Sequence, residues 1–161
     1  MAKMDDLRDE PVAEILELVL PNDTNFLGNV LGGKVMHLID VCAAIAATRH
    51  CRRPVVTASF DQMQFLHPIK VGELVHLKAS LNRAFHTSME IGVKVWSENL
   101  LTAQRQHTSS AYLTFVALND QGKPMAVPAY EPRTDEQRRR WAQAEIRREQ
   151  RLEMRGRISS D

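Results

Sequence analysis

The stretch KVMHLIDVCAAIAATRH, residues 34–50, decides the fold. It holds no Pro or Gly and is long enough for about four or five helical turns. Its apolar residues fall on every side: Val35, Met36, Leu38, Ile39, Val41 and Cys42, then Ala43, Ala44, Ala46 and Ala47. A helix that is apolar all round is buried on all sides. The alanines would let other backbones approach closely. Asp40 breaks this pattern. Burying an unpaired carboxylate is expensive, so Asp40 is expected to be paired or to meet solvent in a cleft. His37, one turn earlier, is a candidate partner.

Towards the N-terminus, residues 21–33 (PNDTNFLGNVLGG) are dense in Pro, Asn, Asp and Gly and read as a loop. Asn25, Gly28, Asn29, Gly32 and Gly33 precede the first helical turn. Glycines let backbone come close to a ligand. The open N–H groups of a helix start stabilise negative charge, such as a carbonyl oxygen under attack. A plain Gly-rich turn has the same appearance. Asp40 follows Gly33 by seven residues, which is about 10 Å along a helix axis. One chain therefore cannot bring Asp40 to a carbonyl held at its own helix start. A second copy, antiparallel across a two-fold axis, could. Residues 13–20 (AEILELVL) fit a strand or a helical turn, and residues 1–10 are polar and expected to be flexible.

Towards the C-terminus the period changes to two. Val75, Leu77, Ala79 and Leu81 alternate with His76, Lys78 and Ser80, and Met89, Ile91, Val93 and Val95 repeat the pattern. Such alternation predicts half-buried antiparallel strands. Residues 55–66 and 108–118 alternate less cleanly and are expected to be more central. Residues 68–72 and 119–122 read as turns. The coarse architecture is α+β: one long buried helix, a meander of about four strands curling round it, then a charged helix. An ordinary two-layer sandwich is the alternative.

Composition narrows the function classes. The chain has 161 residues, 43% hydrophobic and 25% charged, with a net charge of +1. That fits one globular domain with no global pull towards nucleic acid or anionic membrane. No apolar run reaches membrane-spanning length. The two cysteines, Cys42 and Cys51, have neither disulfide-framework nor zinc-site spacing, and the six histidines are scattered. A cytoplasmic, metal-free protein is expected.

Four segments then carry a resemblance. They are residues 21–50 (PNDTNFLGNVLGGKVMHLIDVCAAIAATRH), 55–75 (VVTASFDQMQFLHPIKVGELV), 86–96 (HTSMEIGVKVW) and 109–128 (SSAYLTFVALNDQGKPMAVP). In that order they resemble the hotdog-fold acyl-CoA thioesterases, above all the brain-type acyl-CoA hydrolases and the bacterial YciA-like enzymes. The resemblance implies a five-stranded antiparallel sheet wrapped around the long helix in residues 11–132. It implies dimers with a continuous sheet, assembling as trimers of dimers, and hydrolysis of acyl-CoA to free acid and CoA. It maps the family's functional Asp onto Asp40 and its functional Asn onto Asn29. Asp40 would then activate water or attack the thioester itself, Asn29 would orient water or carbonyl, and backbone N–H near Gly32 and Gly33 would hold the oxyanion. Thr57 and Ser59 lie on one face of a strand that the resemblance sets against the site. His86, Thr87 and Ser88 resemble the CoA-binding region. No cofactor is implied, because CoA is part of substrate and product.

Residues 133–161 open with a capping box, Thr134 to Gln137. Residues 133–157 carry nine Arg against five Asp or Glu, a net +4 that leaves −3 for the rest of the chain. Arg138, Arg139 and Arg140 fan around a helix, whereas Arg147, Arg148 and Arg151 share one side. A solvated helix with internal ion pairs, such as Glu145 with Arg148 and Glu136 with Arg140, is preferred to a nucleic-acid surface. Two other readings stay open. One is a non-catalytic acyl-CoA-binding hotdog module, which has no need of Asp40. The other is a hotdog dehydratase, which needs a His paired with a carboxylate, and here only His37 lies near Asp40.

Overall fold

The computed structural model describes residues 12–159, so the flexible segment expected at residues 1–10 lies outside the described residues. The ambiguous segment at residues 13–20 is a strand, β1 (Val12–Leu18). A loop containing one short 3-10 turn, Pro21–Asp23, leads into α1 (Gly32–Cys51). Four strands follow: β2 (Val55–Phe60), β3 (Leu74–Ala84), β4 (Ser88–Glu98) and β5 (Arg105–Ala117). A last helix, α2 (Asp135–Ile158), ends the described chain. The five strands make one antiparallel sheet in the order β1-β3-β4-β5-β2. The five-stranded sheet with a central and a C-terminal helix is the α+β hotdog arrangement expected from the sequence.

α1 lies on the inner face of the sheet. Its buried side, with Val35, Leu38, Ile39, Cys42, Ala43, Ala46 and Ala47, meets the inward residues of the central strands. Those are Val75, Leu77, Ala79 and Leu81 from β3, Met89, Ile91, Val93 and Val95 from β4, and Leu113 and Phe115 from β5. The alanines on α1 let the sheet close round the helix. Burying each large side chain here contributes about 1.5–3 kcal/mol. Desolvation pushes the Cys42 thiol up to about 11, so it behaves as a small apolar residue.

The expected strand positions need correction. β2, expected to be more central, is an edge strand paired only with β5, whereas β5 is interior as expected, between β4 and β2. Only β3, β4 and β5 form a meander, since β2 joins beyond β5. In β2 the uneven alternation comes from a bulge and not from central placement. Register shifts leave Ala58 in β2, Asn82 in β3 and Thr108 in β5 without a direct partner. Each bulge bends its strand and increases local twist, which helps the sheet wrap the helix.

The outer face of β3, β4 and β5 is only partly solvated: Lys78 and Lys94 are exposed, but the end near the β3–β4 turn is covered. It is where α2 docks. Glu90, in the polar half of β4's alternation, has 0% exposure. Arg147 meets it with Nε at 3.1 Å and NH2 at 2.6 Å, Arg151 NH1 donates to it at 3.1 Å, and Asn82 Nδ2 at 3.0 Å. Arg83 pairs with Glu145 at 2.8 Å and lies 3.5 Å from the centre of the Trp141 ring. The expected Glu136–Arg140 pair is present at 3.9 Å, but Glu145 turns to Arg83 in place of Arg148. The Thr134–Gln137 capping box forms as read. The expectation of a solvated helix thus fails on one side: Arg147, Arg148 and Arg151 face the sheet, with Arg148 over the Phe85 ring.

Candidate active site

α1 begins two residues earlier than the sequence suggests. Gly32 and Gly33 are its first two residues and not part of the loop. The residue before them, Leu31, has no side chain able to cap, and no cap hydrogen bond forms. Lys34 and Val35 donate to the Leu31 carbonyl, while the N–H groups of Gly32 and Gly33 find no acceptor among the described residues. A Cβ on Gly33 would meet nothing within 4 Å, and one on Gly32 would only touch the Phe65 ring at 3.6 Å. The bare backbone therefore leaves a positive helix end open to approach.

The preceding loop is pinned by Asn25, whose side-chain oxygen accepts from Leu27 N–H at 2.9 Å and Asn29 N–H at 3.2 Å. Gly28 sits at φ +78°, a left-handed conformation that favours glycine. Asn29 bridges to Lys70, and Val30 N–H donates to Ile69 O at 2.7 Å. The backbone of Asn29 is thus fixed while its amide side chain has no partner among the described residues. Asn29 and Gly32 line one cleft of about 310 Å³, whose other wall is Phe65, Leu66 and His67.

Asp40 lies two turns along α1, half-buried. Its Oδ1 accepts a hydrogen bond of 2.7 Å from the Thr57 hydroxyl on β2. Thr57 is its partner, not His37, and no hydrogen bond joins Asp40 to Asn29, Gly32 or Gly33. Within one chain the two groups of candidate residues therefore stay apart. The face of α1 that bears Asp40 is not buried, contrary to the reading of a helix covered on all sides: Met36, Val41 and Ile45 beside it are 37–40% exposed.

Thr57 and Ser59 were expected on one face, and the bulge at Ala58 separates them. Thr57 stands opposite Phe115, which is buried in the core, and Ser59 stands opposite Thr114. Directly opposed residues share a face, so Thr57 points towards α1 and Ser59 to the outer side. There Ser59 Oγ reaches Asp61 at 3.4 Å. Ser59 thus lies on the opposite face of β2 from Thr57 and Asp40. His86, Thr87 and Ser88 form the tight turn between β3 and β4, closed by Phe85 N–H to Ser88 O at 2.8 Å. Val127 N–H and Ala117 N–H bind the carbonyls of His86 and Thr87, while the Thr87 and Ser88 hydroxyls have no hydrogen-bond partner among the described residues. Met89 lies in the same row as Phe115 and Thr57, which puts this turn about two strand spacings, roughly 10 Å, from Thr57.

Sequence reasoning missed Phe65 and Leu66, assigned to a strand, which instead wall the Asn29 cleft. It also missed Glu90, whose burial is signalled only by the i, i+4 spacing of Arg147 and Arg151. Among the described residues no group of three His, Cys, Asp or Glu converges as a metal site, and no helix is long and apolar enough to cross a membrane.

Comparison with known proteins fits this geometry. Residues 27–104 match the model of the thioesterase superfamily. A Bacillus subtilis protein named as an uncharacterized acyl-CoA thioester hydrolase is 45% identical over 119 residues, 74% of this chain and 69% of the relative. The crystal structure of a hexameric acyl-CoA thioesterase without ligand superposes with a TM-score of 0.87 at 41% identity, covering 91% of this chain and 94% of that one. The acyl-CoA hydrolase of Staphylococcus aureus, solved with butyryl-CoA, CoA and CoA disulfide, gives 0.84 at 35% identity over 95% of this chain and 96% of its own. Variants of that enzyme with an Asp, a Thr or an Asn replaced by Ala have also been solved. A five-stranded sheet wrapped on one helix and relatives of this kind lead to one conclusion: the chain belongs to the thioesterase superfamily.

Proposed function

We propose that the chain hydrolyses acyl-CoA thioesters to free fatty acid and CoA, at a site completed by two copies of itself. The observation that carries this reading is the Thr57–Asp40 hydrogen bond on an exposed, apolar stripe of α1. The hydroxyl occupies Asp40 Oδ1 and fixes the carboxylate, while no bond is recorded for Oδ2, which can take a proton from water. About 10 Å away along the same helix, the N–H groups of Gly32 and Gly33 suit an oxyanion. Two copies packed antiparallel through this stripe set Asp40 and Thr57 of one against Asn29 and Gly32 of the other. The hexameric state of a related thioesterase supports a trimer of such dimers.

In this reading water attacks the thioester carbon and Asp40 takes its proton. Asn29 orients the water or the carbonyl oxygen, whose negative charge the helix start stabilises. The carbon–sulfur bond then breaks, and the thiolate of CoA recovers the proton. Direct attack by Asp40 would give an anhydride that water cleaves to the same products. The open hydroxyls of Thr87 and Ser88 suit the phosphates of CoA. No cofactor is required.

Thiol release from a series of acyl-CoA esters tests the proposal. Asp40→Ala is expected to lower kcat by at least about a thousandfold, within the scale that general-base catalysis and orientation together reach, with oligomer size unchanged by light scattering. Retained turnover in Asp40→Ala, or a monomer with full activity, would falsify it.

A further inference from the structure

We propose that Arg151, on α2, is a positioning residue for the hydrolytic site: it holds the bulged edge strand β2 so that Thr57 faces Asp40. This inference rests on the function proposed above. It gives a role to the basic C-terminal helix and to buried Glu90, neither of which the mechanism uses.

The physical problem lies in β2. An edge strand is held by one neighbour, here β5. Its bulge leaves Ala58 without a ladder partner. If the bulge relaxed, residues after Ala58 would slip by one and change faces. In the slipped register Ser59 turns inward opposite Leu113, and β2 loses the bend and twist by which the bulge aims Thr57 at Asp40. Holding the bulge therefore requires an anchor on its far side.

That anchor is present two residues beyond Ser59. Asp61 N–H donates to Tyr112 O at 2.9 Å, extending the pairing with β5. The Asp61 carboxylate accepts from Ser59 Oγ at 3.4 Å and from Arg151 NH1 at 2.8 Å. The same nitrogen of Arg151 also donates to Glu90 Oε2 at 3.1 Å, and Glu90 is gripped by Arg147, whose guanidinium lies 3.7 Å from the centre of the Tyr112 ring. Two arginines and two carboxylates balance in charge, so the cluster can stay packed under the helix without an unpaired ion. Arg151 thus ties β2, past its bulge, to the central strand β4. With Ser59 and Asp61 tied down outside, the residues after Ala58 cannot slip, so the bulge persists and with it the bend that aims Thr57 at Asp40.

The test combines Arg151→Met, Asp61→Asn and Thr57→Val in the full-length protein, with kcat and KM for one acyl-CoA ester. Arg151→Met and Asp61→Asn are each expected to lower kcat about tenfold with KM unchanged. That lies within the roughly hundredfold loss that about 1 Å of misplacement brings. In a Thr57→Val background Arg151→Met is expected to cost nothing more, because both act through one hydrogen bond. Arg151→Lys should recover most of kcat, since a single nitrogen makes both contacts. Arg157→Gln, in an exposed pair with Glu153, is the silent control. Additive losses, or unchanged kcat in Arg151→Met and Asp61→Asn, overturn the inference. Should Arg151→Met unfold, Asp61→Asn, which keeps the side-chain shape, decides alone. If Asp40→Ala and Thr57→Val also keep full turnover, the proposed site itself is wrong, a result separate from a silent Arg151.

Discussion

The two faces of the one sheet are covered by two helices in opposite ways. On the inner face α1 meets β3, β4 and β5 through Ile39, Cys42, Ala46, Leu77, Ile91 and Leu113, with few polar atoms. On the outer face α2 meets β4 and the end of β2 through Arg147, Arg151, Glu90 and Asp61. Dispersion and apolar burial are non-directional, so the inner contact tolerates small shifts. Charge-assisted bonds require fixed geometry, so the outer contact fixes register but fails abruptly when one partner goes.

The largest expected difference comes from removing one ion. Glu90→Ala leaves two arginines facing an empty carboxylate position and should destabilise by about 3–5 kcal/mol, measured by urea unfolding. Its inner counterpart, Leu113→Ala, should cost about 2–5 kcal/mol through a cavity. If Glu90→Ala costs less than 1 kcal/mol, the outer face is not held by its ions. A smaller effect is expected from Gly92→Ala. A Cβ there would stand 2.8 Å from Asn82 Nδ2, and Asn82 is buried and bonded to Glu90. Overpacking of about 1–3 kcal/mol should follow. Gly33→Ala, with open space around it, should leave thermal stability within about 1 kcal/mol.

The smallest effect belongs to pH. Desolvation holds the His50 imidazole below its usual 6.5, against a hydrogen bond to Pro128 O at 2.7 Å that favours the charged form. Because the folded pKa is depressed, the unfolded chain binds the proton first. Stability is full above about pH 6.5 and falls as the pH drops through the folded value. His50→Gln removes this titration, so the slope of melting temperature between pH 7 and 5 should flatten. An unchanged slope would place the acid sensitivity elsewhere.

The inner face was legible in the sequence because alternation at 75–81 and 89–95 and an apolar helix at 34–50 are local signals with fixed periods. The outer face was not. Its partners are about sixty residues apart, and a Glu between Met89 and Ile91 reads the same whether water or an arginine meets it. The candidate site was half legible. Asp40 stands out as a charge in an apolar helix, and Asn29 and Gly32 through loop composition and resemblance. The partner of Asp40 was not legible. Thr57 and Ser59 look alike at spacing two, and only the bulge at Ala58, which has no sequence signature here, sends them to opposite sides. The extent of α1 was misjudged because two glycines suggest a loop, whereas the first helical positions tolerate them.

The helix start carries a further consequence. Leu31 is among the worst residues at the position before a helix, where Ser, Thr, Asn or Asp would contribute roughly 1 kcal/mol. The folded chain is therefore short of one acceptor at the spot where a reacting carbonyl would lie. A ligand that brings an oxygen there finishes the secondary structure as it binds. Occupancy and melting temperature should then climb together, and in the proposed reaction the oxyanion would stand in for the cap that the helix lacks.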